Sequence, residues 1–232
     1  MDRGVYAHQL EECGVTVSTL NIPRGRLTFT GLFKLYRLIK EVRPNVVQTW
    51  MYHSDLIGGV VARLAGVKAI AWGIRHVNHD PAQNNRAALL ITRLCAGLSG
   101  WVPKKIVSCS IKATRLHQAL GYCPNKFINI PNGYALDKLK PDSQSRLSLR
   151  ESLAIAGDAF VFGMVARFDP QKDNRNLIRA LGQIKQSGQE FICLFVGVGI
   201  GEHNTTLMAE LSTAGVTQHV KLLARATTFQ KS

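Results

Sequence analysis

The chain has 232 residues, more than one typical domain and fewer than two, and is 46% hydrophobic and 19% charged, a balance that supports a folded core and excludes a disordered or collagen-like chain. Its 29 Lys and Arg against 15 Asp and Glu leave a formal charge of +14, which draws a protein toward phosphates, acidic lipid surfaces or nucleic acid without choosing among them. The longest apolar stretch, from Leu56 to Ile74, contains Arg63 and Lys68; each costs about 3 kcal/mol at a bilayer centre, so no transmembrane span is expected.

The first fourteen residues lack the apolar core of an export signal, and a reducing, cytoplasmic setting is expected. The chain opens in a helix over 5–13, followed by a strand over 15–20. A helix over 31–42 places Leu32, Leu35, Tyr36 and Ile39 on one face and Lys34, Arg37 and Lys40 elsewhere. That pattern reads as a core-packed helix with a solvated basic flank, ahead of a membrane-docking face. Further strands are expected over 45–50, 68–73, 105–109, 126–130, 159–166, 190–196 and 219–223, separated by helices. Ser54 or Asp55 can cap a helix that stops at Gly66, and Ser110 one that stops at Gly121.

Strands alternating with helices imply an α/β fold with parallel sheets. Several strands are apolar nearly throughout, the pattern of strands covered on both faces. Pro131-Asn132-Gly133 and the polar run 137–151 break the alternation. The expected division is a first domain over 1–135, a linker over 136–157 and a second domain over 158–232. The first domain shows no strand ahead of its opening helix. In the strand order 3-2-1-4-5 that missing strand is central, and its loss would leave strands 2 and 4 without their shared neighbour. The second domain has three strands, too few for a complete doubly wound sheet, so a fragment lacking both ends is expected.

The five cysteines are odd in number and show no CxxC spacing, which supports neither a disulfide framework nor a zinc site. Cys109 and Cys193 read as small core residues. The richest segment runs from Val165 through Arg167-Phe168-Asp169-Pro170-Gln171-Lys172 to Asp173. It sets Arg167 and Lys172 at the C-terminal edge of a parallel strand, beside a helix start near Asn174, where open α/β sheets bind anionic ligands. Two readings stay open there: a pair of cations that holds a diphosphate, or a surface ion pair of Arg167 with Asp169 or Asp173. Gly197, Gly199 and Gly201, ahead of Asn204, form a second strand-to-helix loop in which backbone can approach a ligand closely. It is not GxGxxG, since Glu202 holds the last position, and no GxxxxGK[ST] loop occurs. In the first domain His53 and His76 each follow a strand, at the same edge. No metal cluster, Asp-x-Asp pair or GxSxG elbow is present.

Taken in order, Val47-Gln48-Thr49-Trp50-Met51-Tyr52-His53-Ser54-Asp55-Leu56, Trp72-Gly73-Ile74-Arg75-His76, Ile130-Pro131-Asn132-Gly133 and the run from Val165 to Asp173 resemble successive landmarks of family 4 of the retaining glycosyltransferases. These are GT-B enzymes with two Rossmann-like domains, so the resemblance implies two parallel-sheet domains, the second incomplete here. It implies a nucleotide diphosphate sugar as donor, bound between the domains, and a glycan or lipid-linked acceptor. It implies transfer with retention and without a metal or separate cofactor, Arg167 and Lys172 neutralising the leaving diphosphate. His53 or His76 would contact the sugar or acceptor, and Gly197, Gly199 and Asn204 would belong to the donor loop. The family's Glu-x7-Glu pair has no counterpart before Ser232. Ile111, Ala135 and Ala224 depart from its pattern, and the tail 226–232 no longer follows it.

The basic excess suits a lipid-phosphate acceptor and a peripheral place on an anionic inner leaflet. The competing class is a non-catalytic remnant or a basic module for nucleic acid or an acidic membrane. Nucleic acid ranks low, for the chain has no RNP signature, arginine-rich arm or interleaved aromatics. A GT-B sugar epimerase fits the Arg-Phe-Asp-Pro-Gln-Lys run less well than a transferase.

Overall fold

The computed structural model describes residues 4, 6–22, 28–75 and 86–224, which divide into two units, Met1–Ala135 and Leu136–Ser232. In the first unit, α1 (Ala7–Glu12) and α2 (Phe29–Val42) precede β1 (Val46–Trp50), α3 (Tyr52–Leu64), β2 (Ala69–Ile74), α4 (Arg86–Leu98), β3 (Lys105–Ser108), α5 (Ile111–Ala119) and β4 (Phe127–Asn129). The four strands pair in parallel in chain order, β1-β2-β3-β4. Seven of the eight expected strands form across the two units. Residues 15–20 form none, because the alternating Val-Thr-Val-Ser-Thr-Leu run has strand propensity but no neighbouring strand to pair with, and propensity follows pairing and burial.

The sheet is continuous from β1 to β4, and residues 15–20, the strand expected beside the missing one, are not part of it. Its regular order has a consequence for burial. Right-handed crossovers that always step the same way put every connecting helix on one face. On that face Ile70, Trp72, Ile74 and Ile106 are almost wholly buried, together with Ala62, Cys95 and Ala113 from α3, α4 and α5. Each large apolar side chain so covered contributes roughly 1.5–3 kcal/mol. The opposite face leaves Val46 62% and Ile128 39% exposed, so among the described residues the strands are covered on one face and not on both.

Local chemistry sets the helix ends. The Ser110 hydroxyl accepts from the Ala113 N–H at 3.1 Å and caps α5. Gly66 and Gly121 adopt φ of +95° and +94° just beyond α3 and α5, a conformation that glycine takes without steric cost. α3 departs from expectation. It begins at Tyr52, its cap is Met51 with φ +75°, and neither Ser54 nor Asp55 caps it. The basic flank of α2 is exposed while Leu35 and Ile39 join the core.

The second unit holds α6 (Ser143–Ser152), β5 (Val161–Val165), α7 (Asn174–Gln186), β6 (Ile192–Gly197), α8 (Thr205–Thr213) and β7 (Val220–Ala224), with parallel order β5-β6-β7. Phe195, Cys193, Ile178, Leu181, Leu207 and Leu211 form its core. Cys109 is only half-buried, whereas Cys193 is wholly enclosed. The stretch 136–157 contains α6, and Arg150 ties that helix to the start of β5 by donating to the carbonyls of Ala156 and Ala159. No helix among the described residues is long and apolar enough to cross a membrane.

Candidate functional site

Both units gather polar residues at the C-terminal edges of their strands, the edge where parallel sheets present loops to ligands. In the first unit β1 ends at Trp50 and pairs with Gly73 of β2. The Trp50 indole lies against Gly73. A Cβ there would come within 2.8 Å of both the ring and the Thr49 carbonyl oxygen, so only glycine fits. Arg75, one residue past β2, sets its guanidinium carbon 4.5 Å from the Trp50 ring centroid. It donates from Nη1 to Oδ1 of Asn132, in the Pro-Asn-Gly turn after β4. With Gln48, Val107 and Tyr134 these residues line a concavity of about 620 Å³, in which Arg75 is the charged residue among those described.

Asp55 holds this edge from beneath. It is 1% exposed, accepts from Thr49 Oγ1 at 2.6 Å and from the Gly73 N–H at 3.4 Å, and so fastens α3 to the ends of β1 and β2. Burial pushes its carboxyl up to about 7, against the lowering effect of the Thr49 and Gly73 bonds. Met51, between Trp50 and α3, carries the strained backbone of φ +75° and ψ 147°, a conformation that costs of order 1–3 kcal/mol in a non-glycine residue.

A second buried polar cluster lies under the helices. His117 Nδ1 faces the Ala113 carbonyl at 2.7 Å and must donate there. In the neutral ring Nε2 then accepts from the Tyr52 hydroxyl at 2.8 Å. Burial pushes the nearby Cys95 thiol up to about 12, which keeps it unreactive. This cluster does not line the concavity. His53 stands exposed on the first turn of α3, outside the lining, and His76 lies outside the described residues.

In the second unit β5 leads into Arg167, a short 3₁₀ turn at Pro170–Lys172, and α7 beginning at Asn174. Arg167 Nε donates to Asp169 Oδ2 at 2.9 Å. Asp169 Oδ1 accepts from the Gln171 N–H at 2.9 Å and caps the turn. The Arg167 bond is the first cause that holds the Asp169 carboxyl below its usual range, and Lys172 adds to it. The surface pair foreseen as an alternative for Arg167 is therefore formed with Asp169. It engages one of the five guanidinium N–H donors. Lys172 ends the turn, exposed.

The neighbouring loop holds this turn in place. The Ala166 and Phe168 N–H groups donate to the carbonyls of Val196 and Val198 at 2.9 and 2.8 Å. Gly197, at φ +153°, approaches so closely that a Cβ would lie 2.1 Å from the Ala166 carbonyl oxygen. Gly199 adopts φ +76°. Asn204 caps α8 through Leu207 and donates from Nδ2 to the Gly199 carbonyl at 2.7 Å. Arg167, Lys172, Gly197, Gly199 and Asn204 thus meet at one edge. Asp169 is foreseen as a partner of Arg167, whereas Asp55 reads only as a helix cap and Arg75 is not singled out from the sequence, for their roles rest on distant partners made in the fold. A larger groove of about 790 Å³ lies between α7 and α8, away from the strand edges, where Arg175 pairs with Glu210 at 3.0 Å. Among the described residues no three His, Cys, Asp or Glu side chains group as metal ligands.

Residues 145–231 match the family described as Glycosyl transferases group 1. Over 180 residues the chain is 26% identical to the UDP-Gal:alpha-D-GlcNAc-diphosphoundecaprenol alpha-1,3-galactosyltransferase of Escherichia coli, covering 74% of this chain and 44% of that protein. It is 29% identical over 116 residues to the GDP-mannose-dependent alpha-(1-6)-phosphatidylinositol monomannoside mannosyltransferase of Mycolicibacterium smegmatis, covering 50% of this chain and 30% of that one. The chain thus spans less than half the length of either relative. Its fold matches the crystal structure of Anabaena HepE in complex with UDP-glucose, with a TM-score of 0.79 at 20% identity over 97% of this chain and 59% of that one. The architecture, two Rossmann-like parallel-sheet units, is that of the GT-B fold.

Proposed function

We propose that this chain acts in a glycosyltransferase that moves a sugar from a nucleotide diphosphate sugar to a lipid-linked or glycan acceptor, with retention and without a metal. The observation that carries the reading is the pair of cations after β5, with Arg167 oriented by Asp169 through a single N–H at 2.9 Å and Lys172 exposed at the end of the same turn. As the bond from sugar to phosphate breaks, negative charge grows on the leaving diphosphate and positive charge on the sugar ring. Two cations beside the diphosphate favour that charge separation, the kind of electrostatic stabilisation that contributes most to such a step. Gly197, Gly199 and Asn204 shape the backbone that approaches the donor, and His53 or His76 contacts sugar or acceptor. The donor carries its own nucleotide, so the reading asks for no further cofactor.

The relatives support the substrate classes: one uses UDP-galactose and the other GDP-mannose, and both take acceptors that are phosphate-bearing lipids by name. A peripheral place at the cytoplasmic face of an anionic membrane follows from such acceptors and from the +14 charge. The test is titration calorimetry with UDP-glucose, UDP-galactose and GDP-mannose. Lys172→Ala and Arg167→Ala are each expected to weaken the preferred donor by about tenfold or more, since each removes a charged phosphate contact. Affinity unchanged from the parent in both variants, with unchanged melting temperature, overturns the reading.

A further inference from the structure

We propose that the concavity of the first unit is a binding site for a saccharide phosphate, with the phosphate on Arg75 and the sugar ring against Trp50 and Tyr134. The proposal rests on the glycosyltransferase reading only in taking this ligand as the acceptor end. The site itself stands on its own geometry. Arg75 enters none of the ion pairs found among the described residues, and its partner is the neutral amide of Asn132. The guanidinium therefore keeps its full charge, inside a hollow with no acidic residue among the described residues that line it. The guanidinium lies over the Trp50 ring at 4.5 Å and is held by Asn132, and the N–H groups not used by Asn132 suit a bidentate grip on a phosphate.

The rest of the lining suits a sugar. Trp50 is 43% and Tyr134 70% exposed, so both present apolar ring surface with a polar tip. The amides of Gln48 and Asn132 and the Tyr134 hydroxyl supply donors and acceptors for ring hydroxyls. One face of Trp50 is already taken by the guanidinium, which leaves less room for a flat base than for a hydroxylated ring. Gly73 keeps the indole in place, since any side chain there would displace it. His53, foreseen for acceptor contact, does not lie in this lining.

The experiment titrates the purified chain with glucose 1-phosphate, glucose, inorganic phosphate and UMP. It uses calorimetry together with tryptophan fluorescence in a Trp101→Phe background, where Trp50 is the exposed indole and Trp72 is buried. Glucose 1-phosphate is expected to bind, to quench Trp50, and to weaken as salt rises. Arg75→Ala is expected to lower its affinity about tenfold, and Arg75→Lys by less, since the charge remains while the fork is lost. Trp50→Leu is expected to weaken it as well.

Absent binding, equal binding of glucose and glucose 1-phosphate, or phosphate alone binding as tightly would each overturn the proposal. Preferential Arg75-dependent binding of UMP would replace it with a nucleotide site, and unchanged affinity in a folded Arg75→Ala would remove Arg75 from it. The donor reading is separated by Arg167→Ala and Lys172→Ala. These should weaken UDP-sugar binding while leaving the Trp50 response to glucose 1-phosphate intact.

Discussion

Arg75 and Arg167 occupy like positions in the two units, each just past a parallel strand at the edge that receives ligands, yet their partners differ. Arg167 is bonded to a carboxylate, Asp169, which also caps the turn leading to Lys172. Arg75 is bonded to a carboxamide, Asn132, and stacked on an indole. The first arrangement orients a guanidinium while offsetting its charge, and leaves Lys172 to supply the unpaired one. The second orients it while leaving its charge whole. One fold position thus serves two kinds of anion site, according to whether the residue that steers the arginine is itself charged.

The difference depends on how each arginine is mounted, and the largest effect is expected where the mount is backbone. Gly197→Ala would drive a Cβ to 2.1 Å from the Ala166 carbonyl oxygen at φ +153°, where no flexible side chain can yield. It is expected to destabilise the second unit by about 3 kcal/mol or more, measured by urea unfolding, and to abolish donor binding by displacing Arg167. Normal stability in this variant would mean that the contact between the two loops relaxes freely.

In the first unit the mount is a buried carboxyl. Asp55 binds its proton more tightly when folded, near 7, than the ordinary value of 3.8. Between those values the folded state holds more protons than the unfolded one, so stability is full below about pH 4 and falls as pH rises through about 7. Asp55→Asn, which keeps an acceptor for Thr49 and Gly73, is expected to flatten that slope. Above pH 7 it should be more stable than the parent by an amount on the order of a few kcal/mol. Urea midpoints from mildly acidic to mildly basic pH check this, and parallel curves for the two proteins would show that Asp55 is not the group that titrates.

Much of this architecture is legible in the sequence because its signals are local. Apolar runs mark β1 to β7, Ser110 announces α5, and the Arg167 to Lys172 run declares a charged strand edge. What escapes depends on distant partners. The run over 15–20 has the strand pattern but no strand beside it, and no local pattern carries that fact. Asp55 reads as a helix cap because capping needs only its own turn. Its actual partner Gly73 lies 18 residues on. Arg75 sits beside the singled-out His76, yet its meaning comes from Asn132, 57 residues away.

The sharpest test exchanges the two steering partners. Asn132→Asp gives Arg75 the carboxylate that Arg167 has, and Asp169→Asn gives Arg167 the amide that Arg75 has. The new carboxylate should compete with a bound phosphate, so Asn132→Asp is expected to weaken glucose 1-phosphate by about fivefold and to reduce the salt dependence of what binding remains. Asp169→Asn keeps the cap on the Gln171 N–H but replaces the ion pair with Arg167 by a weaker bond from the cation to a neutral amide. UDP-sugar affinity is then expected to fall severalfold through loss of orientation, with little change in melting temperature. A rise in affinity would mean that Asp169 acts chiefly as a competing anion, and the two arginines would then differ in charge alone and not in how they are held.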